Sequence, residues 1–184
     1  MKINKDIESI GINQGGIMVK ELYIEGYIPL KEYSKRMIKD GCFFVEILSN
    51  RCICTPLLKF DDVKLLVNHD YSYEVDSISK NLKIIVKDNK LYFKSLVNDK
   101  GIINKIISGK VKGISFGFIS YKENEITINK KLKIRYLNLI RLKEISLLTN
   151  SKSAYNGRIT KVIAPPGMKL FEEDLSTPRV HLYR

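Results

Sequence analysis

The sequence predicts a mainly β fold of the α+β kind, an antiparallel β-barrel or sandwich with a few short flanking helices. Three observations carry this expectation. Short runs of alternating apolar and polar residues recur between residues 17 and 149, and a period of two marks a half-buried strand. Turn-forming stretches separate them, among them Gly15-Gly16, Asp88-Asn89 and Pro165-Pro166-Gly167. No strand–helix rhythm repeats along the chain, which argues against a doubly wound parallel sheet.

The elements follow in order. Residues 1–16 are polar, end in Gln14-Gly15-Gly16 and read as a flexible lead-in. Residues 17–27 read as the first strand, bent at Gly26. Residues 29–40 place Leu30, Tyr33, Met37 and Ile38 at helical spacing before Gly41, so a short helix is expected. Residues 42–48 are apolar and fit either a strand or a short helix. Residues 63–70 form a clearer strand, with Val63, Leu65, Val67 and His69 on one face. Residues 82–86 and 91–97 read as a hairpin turned by Asp88-Asn89. Asn98-Asp99 offers an N-cap for a short helix carrying Ile102, Ile103, Ile106 and Ile107, and Gly109 stops it. A strand from Gly113, two shorter ones at 125–128 and 132–136, and a long one at 138–149 complete the set. Pro165-Pro166-Gly167 closes a single domain over 17–164 and leaves 165–184 as a tail, with one short helix around 171–175.

Composition narrows the function. The chain has 184 residues, enough for one core of ordinary size. No apolar run reaches the roughly 18 residues of a membrane span. The opening residues lack the apolar stretch of a secretory signal. Three cysteines fit a reducing compartment rather than a disulfide framework. Cys52 and Cys54 are the only close pair, and with two histidines in the chain no metal site is expected. The net charge of +12 favours an acidic partner. However, 25 of the 32 basic residues are lysines scattered singly or in pairs, with no basic block and no Arg-rich arm. A contact with DNA would therefore be nonspecific.

The chemistry concentrates at Gly113-Ile114-Ser115-Phe116-Gly117-Phe118. As a strand, this places Ile114, Phe116 and Phe118 on one face and Ser115 on the other, with a glycine on either side of it. A nucleophile needs that combination of rigid backing and open approach. The bland reading is a packed strand whose glycines mark a tight contact. On the strand over 138–149, Ile140, Leu142, Glu144, Ser146 and Leu148 share a face, so a carboxylate sits within an apolar row and needs a partner. Ser115, His69 and Glu144 are the parts of a hydrolytic triad. Taken singly, His69 also fits a satisfied histidine at a strand end, and Glu144 a structural pair with Arg141 or a lysine. Asp70 is the next candidate for the acid. An α/β-hydrolase elbow is excluded, because strand rather than helix follows Gly117 and the only later histidine is His181.

Three blocks in this order, Val67-Asn68-His69-Asp70, Gly113 to Phe118, and Leu142-Lys143-Glu144-Ile145-Ser146-Leu147-Leu148-Thr149, resemble the prohead maturation proteases of tailed phages. Glu25-Gly26-Tyr27, Asp40-Gly41-Cys42-Phe43 and Ser153-Ala154-Tyr155 add to the resemblance, which covers about residues 20 to 163. That family is related to the herpesvirus assembly proteases. The resemblance implies a closed or partly closed β-barrel ringed by helices, with Ser115 as nucleophile, His69 as general base and Glu144 as third member. It implies an oxyanion hole from backbone N–H groups in the loop after the acid, about Ser151, Lys152 and Ser153, and no cofactor. It also implies cleavage of scaffold or of an N-terminal segment of the capsid protein, and of the protease itself. The partners would be the major capsid protein and the scaffolding protein, the active form a homodimer or higher oligomer. The place would be the assembling procapsid in the bacterial cytoplasm. The chain departs from the family at Glu74-Val75-Asp76, where a glycine is usual, and over residues 27–41. A rival expectation is a non-enzymatic basic β-barrel that binds nucleic acid or a capsid.

Overall fold

A computed structural model describes residues 10–13, 16–49, 52–53 and 62–163. The fold is mainly β. β1 (Ile10–Asn13) and β2 (Gly16–Val19) pair as a two-stranded sheet, so part of the expected lead-in is paired. β3 (Leu22–Pro29), β8 (Lys83–Lys87), β9 (Lys90–Val97) and β12 (Arg158–Ile163) form a four-stranded sheet in the order β12-β3-β9-β8. A six-stranded sheet contains β4 (Met37–Lys39), β5 (Cys42–Leu48), β6 (Lys64–Val67), β7 (Asp70–Ser77), β10 (Gly113–Asn129) and β11 (Leu132–Leu148).

β11 is the spine of the larger sheet. Along one edge it pairs with β10 over nearly its whole length. Along the other it pairs first with β5 and then with β6. Between them Ser49 N donates to Leu137 O and Ile140 N to Cys52 O, so the ladder continues across the gap. β10 and β11 are each one strand of 17 residues, where shorter separate strands were expected. The register shifts along their pairing are bulges that bend the ribbon.

The expected barrel is corrected on two points. β5 and β6 run parallel to β11, so this sheet is mixed rather than antiparallel. The sheets also do not close. They meet at one corner through an isolated bridge between Ile114 and Gly157. At another, the buried Asp76 carboxylate accepts from Ser95 Oγ at 2.6 Å and from Leu96 N. Among the described residues, no continuous ladder joins β4 or β7 to the four-stranded sheet. Asp76 also accepts from Ser77 N and Asn81 N. One of the charges at the family departure therefore has a structural task.

The core lies between the sheets. Leu22, Ile24 and Ile28 from β3, Leu91 and Val97 from β9, and Ile145 and Leu147 from β11 are buried in it. α1 (Lys100–Ile107) adds Ile102, Ile103 and Ile106. Its cap is as expected: Asp99 accepts from Ile102 N, and Gly109 takes a positive φ just beyond the end. It is the one helix among the described residues, and it is far too short to span a membrane.

The helix expected over 29–40 does not form. Lys31 has φ 66°, which a right-handed helix excludes. The main-chain groups pair sideways instead, Lys31 N with Leu48 O and Ser34 N with Glu46 O. Of the four apolar residues at helical spacing only Leu30 is buried, while Tyr33 and Ile38 are exposed. The helix expected around 171–175 and the tail lie outside the described residues.

Candidate active site

His69 does not continue a strand stripe. β6 ends at Val67, and Asn68 and His69 form a two-residue turn before β7, with φ 53° and 63°. Positive φ at both central residues is the hairpin turn whose twist suits the flanking strands, and Asn and His tolerate that region better than most residues. The Asn68 side chain clamps the turn to the end of β11. Its Oδ1 accepts from Thr149 N at 2.8 Å, and its Nδ2 donates to Thr149 Oγ1 at 2.9 Å. The turn aims the His69 ring back over the sheet.

There it meets Glu144. His69 Nδ1 and Glu144 Oε1 are 2.7 Å apart, with the carboxylate almost fully buried and the imidazole about half exposed. The other carboxylate oxygen accepts from Ser146 Oγ at 2.6 Å, and Ser146 Oγ itself accepts from His69 N at 3.0 Å. Both carboxylate oxygens are thus occupied by donors. The hydrogen bond to Glu144 raises the His69 pKa above 6.5; desolvation opposes this and the carboxylate's charge adds to it. Arg141, the other partner considered for Glu144, pairs with Asp62 at 3.2 Å, and Lys143 pairs with the same carboxylate. Asp70 is exposed and accepts from Ser72 N and Ser72 Oγ, so it is not the histidine's acid.

Ser115 stands on the next strand, directly opposite Ser146 in the β10–β11 register. Opposite residues of an antiparallel pair share a face, with Cβ atoms about 5 Å apart. Ser115 is half-buried, and its hydroxyl has no hydrogen-bond partner among the described residues. The structure therefore joins His69 to Glu144 and sets Ser115 beside them without a hydrogen bond to the ring. Such bonds are often open in unliganded sites.

The two glycines explain the motif. A Cβ on Gly117 would collide with Glu144 Oε1 and stand 3.1 Å from its Cγ and Cδ. A Cβ on Gly113 would meet Ser153 Cβ at 3.1 Å. Side chains alternate along a strand, so Gly113, Ser115 and Gly117 face the same way. One glycine makes room for the acid, the other for the loop after β11, and the serine lies between them.

In that loop Ser153 is buried. Its Oγ donates to Ile114 O at 2.5 Å and accepts from Tyr155 N, and its carbonyl accepts from Lys35 Nζ at 2.9 Å. Ser151 and Lys152 are exposed. The main-chain N–H groups of Ser151, Lys152 and Ser153 donate to no acceptor among the described residues.

Sequence reasoning did not assign roles to Ser146 and Asn68. The signal for Ser146 was available: it shares the apolar row with Glu144, two residues away. Ser146→Ala is expected to cost about 1–3 kcal/mol of stability, because it strips a donor from a buried carboxylate and an acceptor from His69 N. Urea unfolding measures this, and an unchanged midpoint would refute it. Among the described residues no group of His, Cys, Asp and Glu is arranged to hold a metal.

A histidine with one nitrogen on a buried carboxylate keeps its second nitrogen for proton transfer, and a free serine hydroxyl nearby supplies a nucleophile. This is the equipment of serine hydrolases. Comparison of sequences agrees: the family described as caudovirus prohead serine protease matches residues 13–165, and the chain belongs to that family. No curated protein and no solved structure matches it.

Proposed function

We propose that this chain is a serine endopeptidase of phage capsid maturation, with Ser115 as nucleophile, His69 as general base and Glu144 as the acid that orients it. A proton on His69 Nδ1 is held by Glu144, which leaves the lone pair of Nε2 free. Ser115 Oγ attacks the scissile carbonyl while Nε2 takes its proton. The oxyanion is met by N–H groups of Ser151, Lys152 and Ser153. Nε2 then delivers the proton to the leaving amine, and water, activated by the same nitrogen, releases the acyl group. The observation that carries this reading is the buried Glu144 carboxylate bonded to His69 on the strand beside Ser115. A basic β protein that only binds nucleic acid gives no reason for that pair.

The substrates on this reading are scaffold, an N-terminal segment of the major capsid protein and the protease itself. It acts as a dimer or higher oligomer inside the procapsid, in the host cytoplasm. Coexpression with the capsid and scaffolding proteins of the same phage tests this. Intact-mass measurement over time is expected to show discrete truncations of the partners. Partner masses identical with and without the protease would refute it.

A further inference from the structure

Beside the start of β10, lined by Val111, Lys112 and Ser153, lies an open cleft of about 720 Å³. Ser153, which packs where a Gly113 side chain would be, belongs to its wall. Gly113 is two residues from Ser115, about 7 Å along an extended strand. A peptide crossing Ser115 toward this end of β10 enters the cleft within a few residues.

The wall is strongly one-signed. Lys35, Lys112, Lys152 and Arg158 line it against a single carboxylate, Glu32. Glu32 accepts from Asn156 Nδ2. Arg158 donates to Tyr27 OH through Nε and Nη2 and lies over that ring, and Lys35 binds the Ser153 carbonyl. None of these contacts neutralises a cation. Lys112 and Lys152 have no ion-pair partner among the described residues. Some basic side chains elsewhere find carboxylates: Lys64 and Lys80 share Glu74, Lys94 pairs with Glu25, and Arg135 bridges Glu46 and Glu123. What sets the cleft apart is that its four cations converge on one concave wall. A concave surface lined by one sign of charge concentrates ligands of the other.

We propose that this cleft is a specificity subsite for carboxylate side chains, so that the cleaved polypeptide carries Asp or Glu within a few residues of the scissile bond, on the side that passes Gly113. The proposal rests on the peptidase reading for its substrate. The cleft's preference for acidic peptides can nevertheless be measured without catalysis.

The test has two arms and one variant, Lys112→Glu/Arg158→Glu. Neither residue is in the catalytic machinery. A second variant, Lys122→Glu/Lys130→Glu, changes the net charge equally on exposed residues outside the cleft. In the first arm, each protein digests a proteome-derived peptide library and the cut sites are sequenced. Wild type and the Lys122/Lys130 variant are expected to enrich Asp and Glu several-fold at a fixed position beside the cut. The Lys112/Arg158 variant is expected to lose that enrichment or shift it to Lys and Arg. In the second arm, fluorescein-labelled hexaglutamate and hexaglutamine are titrated into the Ser115→Ala protein at moderate salt. Hexaglutamate should bind about tenfold tighter, and only the cleft variant should erase the difference. Cleavage without acidic enrichment overturns the subsite and leaves the peptidase standing. Charge-selective binding lost only in the cleft variant, with no library cleavage, supports the subsite and counts against the peptidase. Equal loss in both charge variants overturns the subsite as net charge alone.

Discussion

Ser115→Ala is expected to abolish processing while leaving the fold intact. The hydroxyl has no hydrogen-bond partner among the described residues, so its removal orphans no buried group. The residue is half-buried, and the strand is anchored by Ile114 and Phe116 on its other face. A shift in stability within about 0.5 kcal/mol is expected, as for substitutions that disturb no packed or bonded feature. The rate should fall about a million-fold, the usual cost of removing a triad nucleophile. Intact mass over time reads both self-cleavage and cleavage of capsid partners. A variant that processes at the wild-type rate removes Ser115 from the role. A variant with lowered thermal stability would instead make the hydroxyl structural, and the nearby Ser153, whose Oγ bonds Ile114 O, shows what such a role looks like.

What the sequence made legible was local. Asp88-Asn89 turned its hairpin, and Asp99 and Gly109 bounded α1, because those signals act within a few residues. The alternation around Ser115 held, since register follows from which face is buried. Long-range pairing was not legible. Periodicity is the same for parallel and antiparallel neighbours, so nothing in β5 or β6 announced that both run parallel to β11. The helix over 29–40 failed because four apolar residues mimicked a helical face of which only Leu30 is buried. His69 was placed on a strand when it belongs to the turn after it. The apolar run through Val67 masked the turn, although Asn68 and His69 are residue types that accept positive φ more readily than most. Glu144 was legible for a physical reason: a carboxylate in a buried row must have a donor, and the chain has only two histidines.

Glu144→Gln is expected to fold and to lose activity by roughly a hundred-fold to ten-thousand-fold. The volume is conserved and polar contacts remain, so no buried charge is stranded. The geometry indicates how activity is lost. Ser146 Oγ donates to one carboxylate oxygen and His69 Nδ1 faces the other. A side-chain amide has an acceptor oxygen and a donor NH₂ group where the carboxylate has two acceptor oxygens. If its oxygen stays on Ser146, its NH₂ faces His69 Nδ1 and drives the ring proton to Nε2. That tautomer has no lone pair to offer Ser115. The pH profile separates this from a merely structural effect. In the wild type the bond to Glu144 raises the His69 pKa above 6.5. Activity needs the neutral ring, so it should rise with pH through that elevated value. The stabilisation from the charged pair runs oppositely: it is complete below the unfolded histidine's value of about 6.5 and is lost as pH rises through the folded one. In Glu144→Gln the carboxylate is gone, so the midpoint of the residual activity should move to lower pH, and the pH dependence of stability should flatten. An unchanged midpoint would show that Glu144 does not set the basicity of His69 in the proposed reaction, and a variant that fails to fold would make the carboxylate a structural group.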